Sequence, residues 1–231
     1  MKAYRHIFFD LDRTIWDYER NAEEAILELI ERHSLHKRGI EDPAAFVKSY
    51  CVINDRLWDD YGKDRITKEE LRSQRFHLAF QEFGINDIVT ANLVSDDFTA
   101  LAPKKPHLLP GADEVLKYLN KKYSVHLITN GFEDTQKEKM KHSQISRYFK
   151  HMITSERSGF KKPDKRIFDY ALRKTGAIAE GSIMIGDNYD LDILGAAGAG
   201  IDQVYYDPAG TGIDKSATHT VRSLNDLLGI L

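Results

Sequence analysis

A chain of 231 residues has room for one generous domain or two modest ones. With 42% hydrophobic and 30% charged residues it has the balance of a soluble globular protein and is too apolar to be disordered. A formal net charge of -3 leaves no electrostatic footprint for a nucleic-acid polymer or an anionic membrane. The single cysteine, Cys51, excludes an intrachain disulfide and a cysteine-based zinc site, and its apolar helical surroundings make it inert packing. No apolar run approaches the ~18 residues that span a bilayer, and the N-terminus lacks the apolar region and cleavage site of a signal peptide. A reducing cytoplasm is the expected compartment, and a monomer or small homo-oligomer the expected state.

The chain begins with an apolar run, Ile7-Phe8-Phe9, that ends abruptly in Asp10 and Asp12. Such a run reads as a strand buried on both faces, as in a parallel sheet. Extended chain alternates with a period of two, so the two aspartates point the same way. At roughly 4 Å and an effective dielectric of about 20, two such charges repel by about 4 kcal/mol, and a cation, a shared proton or a lysine must offset them. Taken alone, an aspartate after a strand is equally a helix cap or a turn former.

From Asp17 to about Leu35, Ala22, Ala25, Ile26, Leu29 and Ile30 recur at helical spacing. Asp42-Pro43 supplies a cap and a first-turn proline for a second helix carrying Phe46, Tyr50, Leu57, Trp58 and Tyr61. Thr67 to Glu70 has the spacing of a capping box, opening a third helix that Gly84 closes. A fourth is expected from about Asn86 to Leu101, with Ile88, Val89, Leu93, Val94 and Phe98 turned inward. Past Pro103 and Pro106 the rhythm changes. Strands are expected at 125–128, 152–153, 183–185 and 203–206, with helices at 111–121, 133–143, 164–175 and 191–198 and a last one capped by Ser223. This alternation predicts a doubly wound parallel α/β sheet that the first strand joins. The expected domains are an α/β core of residues 1–16 and 104–231 and a helical insertion of 17–103. An insertion that leaves just after Asp12 is placed to act as a lid, the alternative being a simple packed bundle.

Three further polar clusters follow strands, where ligands of open α/β sheets bind. Thr129-Asn130-Gly131 offers a hydroxyl, an amide and a glycine that an anion can approach closely. Lys161-Lys162-Pro163 places cations before a stiffening proline. Gly186-Asp187 leads to Asp190 and Asp192; Asp190 reads as a helix cap, and Asp187 as a hard-oxygen ligand suited to Mg2+. Carboxylates, an anion cradle and a lysine together suit Mg2+ and a phosphate, and such a site can attack phosphorus with a carboxylate.

Asp10-Leu11-Asp12-Arg13-Thr14, Thr129-Asn130-Gly131, Lys162-Pro163 and Gly186-Asp187 with Asp192 resemble, in order and spacing, the four motifs of the haloacid dehalogenase-like hydrolase superfamily. The resemblance spans essentially the whole chain and implies a Rossmann-like core with an inserted four-helix cap. It makes Asp10 the nucleophile, Asp12 the acid/base, and Thr129 with the Asn130-Gly131 backbone the phosphate cradle. Lys162 bridges nucleophile and phosphate. Mg2+ is held by Asp10, the Asp12 carbonyl and Asp187, with Asp192 in support. Arg13 stands where glycine is usual, a departure that bears on the loop or hinge and leaves the carboxylates intact. Dehalogenases proper lack the second aspartate, so Asp12 favours phosphoryl chemistry. Asn54 with Leu57-Trp58-Asp59-Asp60-Tyr61, Arg75-Phe76, the phrase ending in Phe132, and the run from Lys165 to Leu172 look like the bacterial 5′-nucleotidases of pyrimidine nucleoside monophosphates. A small phosphorylated metabolite is then the expected partner. Sugar phosphatase, phosphomutase and non-catalytic phosphate-binding module remain the alternatives. Trp58 and Tyr61 read as helical core more readily than as a platform for a base.

Overall fold

The computed structural model describes residues 3–211 and 216–231. The chain divides into two compact units, Met1–Tyr18 with Pro106–Leu231, and Glu19–Lys105.

The first unit is built on a six-stranded, wholly parallel sheet in the order β3-β2-β1-β4-β5-β6. Its strands are β1 (His6–Phe9), β2 (Ser124–Thr129), β3 (His151–Thr154), β4 (Ser182–Gly186), β5 (Asp202–Tyr206) and β6 (His219–Val221). The apolar run of β1 follows from its central place. Ile7 and Phe9 pack on one face with Leu127, Ile185 and Val204, while Phe8 packs on the other with Ile128, Ile153 and Met184. Both faces are covered by helices, which is what a continuous apolar strand requires. In register, Phe9 lies opposite Leu127 on one side and Ile185 on the other. The strand order reverses at β1, and ligands of such sheets gather at that switch point, beyond the carboxyl ends.

The four strands expected after β1 are present and extended by a residue or so at their ends. Strand β6 was not expected: of its three residues only Val221 is buried, so it carries no apolar run. Between the strands lie the helices that cover the sheet, numbered here after the four of the second unit: α5 (Ala112–Lys122), α6 (Glu133–His142), the one-turn α7 (Ser155–Ser158), α8 (Lys165–Thr175) and the short α9 (Gly195–Gly198). In α8, Ile167, Phe168 and Ala171 form the buried stripe. Ser223 makes a capping box with Asp226 at a 3-10 turn that leads into α10 (Leu227–Ile230).

The second unit contains α2 (Pro43–Gly62), α3 (Lys68–Glu82) and α4 (Ile88–Leu101), together with most of α1 (Tyr18–Arg32). Asp42 caps α2 by accepting from Ala45 N–H, and Thr67 and Glu70 form the reciprocal box at α3. The cap that closes α3 is Phe83, with Gly84 following at φ +71°. Phe46, Tyr50, Phe76, Phe80 and Phe98 fill the interior with tilted and edge-on ring contacts. The inward face of α4 differs from expectation. Ala91, Val94, Ser95 and Phe98 are buried, whereas Ile88, Val89 and Leu93 are 54%, 66% and 54% exposed. The buried set follows the 3.6-residue pitch from Ala91; Val89 and Leu93 lie off that stripe, and Ile88, on its flank, is the first residue of the helix.

Candidate active site

Asp10 follows β1 directly, and its N–H continues the ladder by donating to Ile185 C=O at 2.9 Å. This fixes the carboxylate at the switch point. Lys162 reaches it from the loop before α8: Nζ lies 2.5 Å from Asp10 Oδ1 and 2.6 Å from Asp192 Oδ1. The loop is held by the Asn130 side chain, which accepts from Lys162 N–H at 2.8 Å and donates to Lys162 C=O at 3.0 Å.

Asp187 stands at the end of β4. Its Oδ1 accepts from the buried Thr14 hydroxyl at 2.9 Å, and the same hydroxyl oxygen accepts from Asp187 N–H at 3.1 Å. Asp192 lies on a π-helical turn, Tyr189–Leu194, where its Oδ2 also accepts from Asn188 N–H. The cap of that turn is Asn188, which accepts from Leu191 N–H, and Asp190 sits inside the first turn. The expectation that Asp190 caps the helix is therefore corrected: an amide two residues earlier fills the role. Gly186 is glycine because a Cβ there would fall 2.3 Å from Asp192 Oδ2.

One ligand atom from each of Asp10, Asp187 and Asp192 lies within 4.8 Å of the others. Three carboxylates face one ammonium, with Asp10, Asp192 and Lys162 buried and Asp187 half-buried, so full ionisation would leave two negative charges in excess. Burial pushes the Asp10 carboxyl well above its ordinary range, and Asp192, Asp187 and Asp12 push the same way against the pull of Lys162. Burial and the Asp192 charge likewise push Asp187 up to about 7, despite its bond from Thr14. Burial opposes the Lys162 charge, but Asp10 and Asp192 more than offset it and hold the ammonium firmly protonated. The donor set is all hard oxygen and two charges in excess, which fits a divalent cation such as Mg2+.

Thr129 ends β2 next to Asp10's strand. Its Oγ1 accepts from Gly131 N–H at 3.0 Å and from the Gln136 amide at 2.9 Å. With both lone pairs used, the hydroxyl hydrogen is left to donate, which suits an anionic oxygen. Asp12, 29% exposed at its side chain, is held by two residues of α6: Lys139 Nζ at 2.5 Å from Oδ1 and the Gln136 amide at 2.8 Å from Oδ2. Arg13 adopts φ +63°, the left-handed region that glycine favours, with its guanidinium 4.8 Å over the Tyr18 ring.

The structure thus gathers the buried Asp10, Lys162 and Asp192 and the half-buried Asp187 into one cluster and sets Asp12, Thr129, Asn130 and Gly131 around it. Thr14, Gln136 and Lys139 were not singled out from the sequence as part of the site. For Gln136 and Lys139 a signal existed: they stand three residues apart on the helix that opens just after Gly131. Thr14 is buried and carried no such spacing.

A family model described as haloacid dehalogenase-like hydrolase matches residues 4–200. The chain is 29% identical to the pyrimidine 5′-nucleotidase PynA of Streptococcus pneumoniae, over 99% of this chain and 95% of that protein. It is 31% identical to a glyceraldehyde 3-phosphate phosphatase of Pyrococcus abyssi, over 87% of this chain and 80% of that one. Among solved structures, the magnesium-bound HAD-hydrolase YfnB of Bacillus subtilis aligns with a TM-score of 0.89 at 28% identity, covering 100% of this chain and 99% of that one.

Proposed function

The chain belongs to the haloacid dehalogenase-like hydrolases, and on that premise we propose that it is a Mg2+-dependent phosphomonoesterase whose substrate is a pyrimidine nucleoside 5′-monophosphate. The observation that carries the chemistry is the buried Asp10–Lys162–Asp192 cluster with Asp187 beside it, two negative charges in excess at the switch point of the sheet. The substrate class is supported by the near full-length similarity to a pyrimidine 5′-nucleotidase.

In this reading an Asp10 carboxylate oxygen attacks phosphorus. The bond from phosphorus to the ester oxygen breaks, and its electron pair leaves on that oxygen, which takes a proton from Asp12. A water oxygen then attacks the aspartyl-phosphate and gives a proton to Asp12. The bond from phosphorus to Asp10 breaks, freeing phosphate and regenerating the carboxylate. Lys162 favours the ionised form of Asp10 against the effect of burial and offsets charge on the phosphoryl oxygens. The Thr129 hydroxyl and the Asn130-Gly131 backbone hold those oxygens. Asp10, the Asp12 carbonyl and Asp187 would hold Mg2+, with Asp192 anchoring Lys162 behind them. Bound there, the cation supplies charge neutralisation for the transferring phosphoryl group. The helical unit is the proposed cap. No helix among the described residues is long and apolar enough to cross a membrane, and a small metabolite in the cytoplasm is the proposed partner.

A second reading, a phosphatase of small sugar phosphates, is supported by the 31% identity to the glyceraldehyde 3-phosphate phosphatase. Phosphate release measured across nucleoside monophosphates, sugar phosphates and p-nitrophenyl phosphate, with Mg2+ and with chelator, separates the two. Turnover led by pyrimidine monophosphates and lost in chelator is expected. A lead by sugar phosphates transfers the assignment to the second reading, and full activity in chelator removes the metal.

A further inference from the structure

The two oxygens of Asp12 are each held by a different side chain of one helix. Gln136 and Lys139 are three residues apart on α6 and share a face. Both are buried, Gln136 completely and Lys139 to 7% exposure. A buried ammonium needs a partner, and Lys139 finds two: Asp12 Oδ1 at 2.5 Å and the face of the Trp16 ring at 4.3 Å. The Gln136 amide nitrogen has two hydrogens and uses one on Asp12 Oδ2 and the other on Thr129 Oγ1. It therefore ties the carboxylate beside the leaving oxygen to the hydroxyl aimed at the phosphoryl group. The packing leaves little freedom in this arrangement, because a Cβ on residue 131 would fall 1.8 Å from Gln136 Nε2. A side chain on residue 131 would displace the Gln136 amide from this position.

We propose that Gln136 and Lys139 are positioning residues that fix the Asp12 carboxylate for proton transfer to the leaving oxygen. This rests on the role proposed above for Asp12. Held from Oδ1 and Oδ2 at once, the carboxylate cannot rotate, and each oxygen keeps a second lone pair for the proton. Helix α6 starts at Glu133, two residues past Gly131, so one rigid element sets both the phosphate turn and the acid/base group. Their part in the reaction is carried by Asp12.

The test uses leaving groups of different basicity. An alkyl ester such as a nucleoside monophosphate needs a proton on its departing oxygen, and p-nitrophenyl phosphate does not. Values of kcat/KM report the steps through loss of the leaving group, so Lys139→Met and Gln136→Leu should lower kcat/KM for the nucleotide on the order of tenfold to a hundredfold. For the aryl ester the change in Lys139→Met should stay within about threefold, far below what loss of general acid catalysis gives, while Gln136→Leu, which also frees the Thr129 hydroxyl, should lose activity on both esters and more on the nucleotide. Lys139→Arg, which keeps a donor for Oδ1, should recover much of the loss. Equal losses on both substrates in these variants, or no loss on either, overturn the proposal. Asp12→Asn run in parallel separates the two layers of inference. If it shows the leaving-group signature and the Lys139 and Gln136 variants do not, positioning fails and the role of Asp12 stands. If Asp12→Asn itself lacks the signature, the role of Asp12 fails and takes this proposal with it.

Discussion

The two ends of the central strands both bury ionisable side chains, and they treat charge in opposite ways. At the carboxyl ends, Asp10, Asp187 and Asp192 surround the Lys162 ammonium. Toward the amino ends, His6, His126 and His151 stack across β1, β2 and β3, with ring centroids 5.4 Å apart at each step and His6 Nδ1 3.1 Å from His126 Nε2. His126 is 1% exposed, and its Nδ1 lacks a hydrogen-bond partner among the described residues. Burial, and then the like charges of His6, His151 and Lys150, push His126 down to about 3. Burial lowers the pKa of His6 and His126 and so favours their neutral forms. The carboxylate cluster has a lysine built into its middle, and its three acids still outnumber that one cation by two. Burial is common to both ends; the built-in counter-charge distinguishes the carboxylate cluster from the histidine stack.

Removing that counter-charge should have the larger consequence. Lys162→Met leaves buried carboxylates without their ammonium, and a loss on the order of 3–5 kcal/mol is expected for breaking a buried pair from one side. Urea unfolding of the metal-free protein at neutral pH measures it. A loss no greater than that of an exposed pair, below about 1 kcal/mol, would mean the cluster is not charged as drawn.

The opposite end gives a smaller, pH-dependent effect. The folded-state pKa of His126 is depressed from 6.5 to about 3. The unfolded chain therefore binds a proton between these values that the folded chain refuses. The stability at stake is fully present above pH 6.5 and is lost as pH falls toward 3, at most a few kcal/mol by linkage. His126→Phe should flatten this part of the stability profile in urea titrations at stepped pH. An unchanged acid slope in the variant would place the burden on other groups.

Much of this architecture was legible because its signals are local. Asp42 before Pro43, and Thr67 three residues before Glu70, declare helix starts through backbone N–H groups that any helix must satisfy. The apolar run of β1 declares a strand covered on both faces. Signals that depend on packing were harder to read. Ile88, Val89 and Leu93 are apolar, yet which side of α4 is inward is decided by its neighbours α2 and α3. Strand β6 borrows its identity from pairing with β5 and shows only Val221 as an apolar mark. The same holds at the site. Asp10, Asp187 and the threonine turn announce themselves at strand ends, where chemistry-bearing residues stand out against apolar sequence, and Lys162 stands out before Pro163. Thr14 looks like loop, and Gln136 and Lys139 look like the polar face of an ordinary helix, until the fold turns that face toward Asp12.

The central claim is that Asp10 becomes phosphorylated, and it is tested most directly by trapping. Wild-type protein is mixed with Mg2+ and a pyrimidine nucleoside monophosphate, quenched in acid within a turnover and digested for mass spectrometry. The account predicts one added phosphoryl group on the peptide bearing Asp10, absent from Asp10→Asn, which should also release no phosphate. Phosphate release that persists in Asp10→Asn, or a phosphoryl group found on another residue, would contradict it.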